Sequence, residues 1–74
     1  MLRKKIGSNM SELVYSHMRI LYSYETPVAG YHEEQGWFRT DRYYSVTTSK
    51  HINKYLKGIV GVIKVSQEWI NSLI

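Results

Sequence analysis

Leu21-Tyr22-Ser23-Tyr24-Glu25-Thr26-Pro27-Val28-Ala29 and, further on, Tyr44-Ser45-Val46-Thr47-Thr48-Ser49-Lys50-His51-Ile52-Asn53 decide the fold of this chain. The first stretch closes a strand over 18–24. Ile20, Tyr22 and Tyr24 fall on one face, and Arg19, Leu21 and Ser23 on the other. Pro27 has no amide proton and biases Thr26 towards extended backbone. Glu25-Thr26-Pro27 therefore predicts a bend or an edge position, not a chain reversal. The second stretch is a helix start. The hydroxyls of Thr47, Thr48 and Ser49 can each accept from first-turn amides. The helix is expected over 49–57, with Ile52, Tyr55 and Leu56 as its apolar stripe and Gly58 as its stop.

The remaining elements follow outward from these two. Upstream, Ser11 either caps a short helix carrying Leu13, Val14 and His17 or precedes a strand, and Val14-Tyr15 favours the extended reading. Val28 to His32 resumes as a strand, in which Gly30 marks a bulge or a close backbone approach. Glu33-Glu34-Gln35-Gly36 is a hairpin turn, with glycine supplying a positive φ. Trp37 to Val46 returns, with a break near Asp41-Arg42. Neither face of this strand is cleanly polar, so both are expected to be partly covered. Ile59 to Val65 reads as a buried strand. Ser66 then caps a second short helix, with Trp69, Ile70, Leu73 and Ile74 inward and Gln67, Glu68, Asn71 and Ser72 outward. The order is β-β-β-α-β-α: an α+β domain with a small, mostly antiparallel sheet and two short helices.

Seventy-four residues allow one domain with a thin core. Residues 1–10, with Arg3, Lys4 and Lys5, are expected to be a basic, poorly ordered segment, and residues 11–74 the domain. The chain has no cysteine, which excludes a disulfide framework and a thiolate metal site and suits a cytoplasmic location. No apolar run approaches the roughly 18 residues of a membrane span, and the segment after Met1 lacks the apolar region of a secretory signal. Seven tyrosines and two tryptophans exceed what one small sheet can hide, which points to an interface and to a two-fold homodimer.

The residues Tyr22-Ser23-Tyr24, Thr26-Pro27-Val28-Ala29, the turn through Gly36, Phe38-Arg39-Thr40 and Tyr44 to Asn53 resemble a family of short phage and mobile-element proteins with no established activity. The similarity spans roughly residues 20–56, and Thr47-Thr48-Ser49-Lys50-His51-Ile52-Asn53 is its most specific part. The resemblance implies a viral or mobile-element origin, a small accessory role in the host cell, and no catalytic residue.

The residues themselves offer three kinds of site. His51 follows a run of hydroxyls, with Ser45 and Ser49 as candidate nucleophiles and Asp41 as the only aspartate, but no nucleophile-elbow pattern surrounds them. His51 is therefore expected to be structural, and the protein not to be an enzyme. His17, His32 and His51 lie far apart in sequence, without metal-ligand spacing, and no Gly-rich phosphate loop is present, so no metal or cofactor is expected. Lys50, Lys54 and Lys57 share one helix face and are the candidate nucleic-acid contacts. Tyr22, Tyr24, Tyr31, Trp37 and Tyr43 are the candidate protein contacts. The leading expectation is a non-enzymatic accessory protein that binds a macromolecule, foremost a host protein or defence complex. A small nucleic-acid-binding regulator using the lysine face is the alternative.

Overall fold

The computed structural model describes residues 3–74. Its elements are β1 (Arg3–Gly7), β2 (Met10–Val14), β3 (Met18–Ser23), β4 (Thr26–His32), β5 (Gly36–Thr40), α1 (Val46–Tyr55), β6 (Ile63–Val65) and α2 (Gln67–Ser72). The strands lie in chain order in one six-stranded sheet. The first five form an antiparallel meander, and β6 adds parallel to β5. A parallel neighbour needs a crossover, which α1 supplies. The fold is α+β, with two strands more than the sequence reading placed.

One extra strand comes from the basic head. Arg3–Gly7, expected to be poorly ordered, is the edge strand of the domain, paired to β2 from Arg3↔Leu13 to Gly7↔Met10. Its cations stay in solvent, so backbone pairing holds it without the apolar alternation that would reveal a strand. Met1 and Leu2 lie outside the described residues. The other extra strand is β2, which takes up the extended reading of the Ser11 region.

Glu25-Thr26-Pro27, expected to be a bend or an edge position and not a chain reversal, begins inside one. Ser23 pairs with Thr26 across a two-residue turn, and Tyr24 takes the left-handed conformation at φ 57. Pro27 is tolerated because β4 pairs with β5 only from Ala29 onward. At Gly30 the strands approach closely: a Cβ there would run into the Arg19 carbonyl and lie 3.0 Å from the Phe38 ring. The hairpin tip is as read, with Gly36 at φ 84 closing a three-residue loop between His32 and Gly36.

Downstream boundaries move for local reasons. β5 ends at Thr40, not Val46, because the buried Thr40 hydroxyl accepts from the Arg42 amide at 3.1 Å and turns the chain outward. The helix begins at Val46, not at residue 49. Ser45 is the N-cap, with extended backbone, and its hydroxyl accepts from the Thr48 amide at 3.1 Å. β6 keeps only the end of the predicted Ile59–Val65 strand. Gly61, at φ 77, interrupts the run, and Ile59 and Val62 pack on the core from the connecting loop. In α2, Gln67 faces in rather than out: Nε2 donates to the Pro27 carbonyl at 2.8 Å and to Asn71 Oδ1 at 3.0 Å.

Each face of the sheet carries one helix and one apolar cluster. On one side, Ile52 and Leu56 of α1 close over Met10, Leu21, Val28 and Ala29. On the other, Ile70 of α2 closes over Met18, Ile20, Tyr22 and Phe38. Both faces of the return strand are thus covered, as its mixed pattern implied. Among the described residues, no helix is long and apolar enough to cross a membrane.

Candidate binding surfaces

His51 docks α1 onto the sheet through a buried hydroxyl. Its Nδ1 lies 2.7 Å from Ser23 Oγ. The Ser23 hydroxyl donates to Thr48 Oγ1 at 3.0 Å, and Thr48 Oγ1 also receives the Ser45 hydroxyl at 3.2 Å. Sequence reasoning placed Ser23 correctly opposite Tyr22 but missed it as the partner of His51. The pairing depends on where α1 lands, and no local signal encodes that.

The network resembles a serine–histidine pair but is built otherwise. Ser23 is 1% exposed, so a substrate cannot reach its oxygen. Among the described residues no carboxylate is bonded to His51; the Tyr24 ring, 5.8 Å away, is its aromatic neighbour. Asp41 sits exposed in the bend after β5, its amide bonded to the Val65 carbonyl, and the Ser49 amide is an ordinary helix donor to Ser45. Neither joins the site. The other histidines serve turns: Nδ1 of His17 lies 3.2 Å from Ser16 Oγ, and that of His32 accepts from the Glu34 and Gln35 amides. Among the described residues, no group of His, Asp and Glu converges as a metal site.

The aromatic candidates separate. Tyr22 is a core residue, 8% exposed, not an interface residue: α2 covers its face and the Arg3 guanidinium lies 4.5 Å over its ring. Burial pushes its phenol above the ordinary range. Tyr43, 70% exposed, projects from the loop before α1. Tyr24 stands at the β3–β4 turn. Only Tyr31 and Trp37 come together, as a half-buried cross-strand pair with ring centroids 5.0 Å apart.

That pair belongs to a row across four strands. Val14 pairs with Arg19, Arg19 with Tyr31, and Tyr31 with Trp37. The row lies on the α1 side of the sheet, with Trp37 packed against the core cluster beneath α1 and Val14 at the open end. Val14 and Arg19 are exposed, and Tyr55 of α1 approaches Trp37 edge-on at 6.2 Å. The Tyr55 hydroxyl donates to Glu12 Oε2 at 2.6 Å, and Arg19 Nη1 lies 3.6 Å from the same oxygen. Burial, then the bonded Glu12 carboxylate, push the Tyr55 phenol well above its ordinary value of 10.0.

Charge is divided between the two sides. Lys4 pairs with Glu12, and Lys64 with Arg39, which itself pairs with Ala29 of the α1-side core. Lys4, Arg19, Arg39 and Lys64 thus project from the sheet on the α1 side, and Lys50 and Lys54 of α1, with Lys57 just past its end, are exposed and turned away from buried Ile52 and Leu56. The strand carboxylate on that side is Glu12, already bonded to Tyr55 and Arg19. The cations on the other side are compensated at two places: Arg3 meets Glu25 at 2.8 Å and Arg42 meets Glu68 at 3.1 Å. An open cleft of about 400 Å³ lies beside β1, lined by Arg3, Lys5, Asn9, Ser11 and Tyr24 among others.

A family model matches residues 2–72 of the chain, and its description is a family of unknown function, DUF8033. The chain belongs to that family. No curated protein and no solved structure matches it. The match spans nearly the whole chain.

Proposed function

We propose that this DUF8033 chain is a non-enzymatic accessory protein that acts by binding a macromolecule through the α1 side of its sheet, and that the partner is foremost a protein. The observation that carries the reading is the Val14–Arg19–Tyr31–Trp37 row. It presents a Tyr–Trp pair beside an exposed arginine, the residue types that anchor protein interfaces, with an exposed valine at its end. Sealing of the Ser23 hydroxyl supports the non-enzymatic part. The resemblance to phage and mobile-element proteins supports a viral or mobile-element source, action in the host cytoplasm, and a host protein or defence complex as the target. Two-fold self-association belongs to the same proposal. Tyr43, Tyr44 and Val46 are exposed apolar residues at the entry to α1, and light scattering that finds only a single-chain mass overturns it.

A second reading is favoured by the division of charge. The α1 side carries Arg39 and Lys64 on the strands, Lys50, Lys54 and Lys57 on the outside of the helix and its C-terminal end, and the Tyr31–Trp37 rings, and cations with stacking surfaces are the combination that binds nucleic acid. One experiment separates the two. Tagged chain is used to capture partners from nuclease-treated host lysate, with Trp37→Ala and the Lys50→Glu, Lys54→Glu, Lys57→Glu triple variant in parallel. Protein binding through the row predicts that Trp37→Ala abolishes capture and that the triple variant retains it. Submicromolar binding of purified chain to random DNA or RNA at physiological salt, abolished by the triple variant, overturns the protein reading.

A further inference from the structure

The outer edge of β1 joins two features that the α1-side surface does not use. Among the described residues no strand pairs with that edge, so alternate backbone N–H and C=O groups of Arg3–Gly7 face outward. The edge is also basic. Arg3 and Lys5 project on one side of the sheet and Lys4 on the other, and all three are exposed. Ile6, 41% exposed, gives the same edge an apolar neighbour.

Lysines on an edge strand deter unwanted pairing. Here that deterrence is selective. A second copy of the chain adding through β1 would set the Arg3-Lys4-Lys5 run against itself, and like charges directly opposite in a ladder are destabilising. A strand of opposite charge meets the reverse situation. The cleft strengthens the point, because it opens on the side of Arg3 and Lys5 and holds about 400 Å³ next to the edge. Every second side chain of an added strand would stand on the same sheet face as Lys5 and the cleft. Arg3 is already engaged by Glu25 at 2.8 Å, which leaves Lys5, with the Ser11 and Asn9 side chains beside it, as the partners for an incoming carboxylate. The Glu25 contact is itself an example of a carboxylate held at this corner.

We infer that the β1 edge is a docking site for an extended acidic peptide segment of a partner protein, which adds to the sheet as a further strand beside Arg3–Gly7. Backbone hydrogen bonds would supply the geometry. Carboxylates at alternate positions would face Lys5 and the cleft, and apolar residues at the intervening positions would extend towards Ile6. The site is independent of the Tyr31–Trp37 row.

The test uses the full isotope-labelled chain and a capped seven-residue peptide of alternating Glu and Val. Two control peptides accompany it. One is N-methylated at two adjacent central residues, which blocks both of its edges; the other has Lys in place of every Glu. Saturable amide shifts and slowed hydrogen exchange concentrated on Arg3–Gly7 are expected. Affinity should fall at least about tenfold for the N-methylated peptide, for the Lys peptide and for the Lys4→Glu, Lys5→Glu variant, a step of about 1.4 kcal/mol each. Trp37→Ala should leave the affinity unchanged, which separates failure of this site from failure of the α1-side surface. Undiminished binding of the N-methylated peptide overturns the inference, because charge alone would then explain it. So does an effect centred on Lys50, Lys54 and Lys57, or no saturable binding at millimolar peptide. The wild-type chain with the N-methylated control decides the matter even if the charge-reversed variant fails to fold.

Discussion

Replacing Ser23 by alanine removes the group that joins α1 to the sheet. The hydroxyl makes two contacts, 3.0 Å to Thr48 Oγ1 and 2.7 Å to His51 Nδ1, from a position 1% exposed. Each net hydrogen bond is worth about 0.5–1.5 kcal/mol, so losing both costs about 1–3 kcal/mol. The upper end is not reached by orphaning Thr48, because its hydroxyl keeps the Ser45 contact at 3.2 Å. In a domain of this size each kcal/mol lowers Tm by about 4–8 °C. Urea unfolding followed by circular dichroism gives the change from the midpoint at constant slope. His51→Ala should cost about 1–2 kcal/mol, since Ser23 then still has Thr48. The two changes together should cost less than their sum, the coupling being about 0.5 kcal/mol or more for residues in one network. A Ser23→Ala variant within about 0.3 kcal/mol of wild type would refute the docking role. A fully stable variant that lost biological effect would instead argue that the hydroxyl acts chemically.

Three further outcomes follow from the structure. Gly30→Ala should destabilise by about 3 kcal/mol, the upper range for overpacking, because the new Cβ meets the Arg19 backbone and the Phe38 ring at once; an unchanged urea midpoint would show the strands to be further apart there. Tyr55→Phe should cost about 1.5 kcal/mol at neutral pH through the lost bond to Glu12. The folded phenol titrates above its ordinary 10.0, so its contribution is complete below about pH 10 and is lost as pH rises towards the folded value. Unfolding curves taken from pH 8 upward should therefore show a steeper alkaline loss for wild type than for the variant, and equal slopes would contradict the assignment. Changing Lys50, Lys54 and Lys57 to glutamate should leave the circular dichroism spectrum close to wild type, because all three side chains are exposed; a lost helical signal would show that they support α1.

Sequence alone determined the features whose cause lies within a few residues. Gly36 and Gly58 mark positive-φ positions, Ser66 caps α2, and Gly30 announces the tight approach of β4 to its neighbours. Each is a local conformational demand or a side chain reaching its own backbone, so residue type reveals it. The amphipathic spacing of Ile52 and Leu56 likewise revealed which face of α1 is buried. Tertiary structure decided the rest. Tyr22 is core and Tyr31 half-buried because the α1 and α2 helices cover different parts of the two sheet faces, although both tyrosines sit in similar strand patterns. Ser23 becomes the partner of His51 only when α1 crosses back over β3. β1 exists because its backbone completes the β2 ladder, and a ladder bond has no signature in side-chain hydropathy. Lys4 and Lys64, far apart in sequence, fall on one side of the sheet only through strand register. Register and face coverage are agreements between distant segments, and no single stretch of the chain carries them.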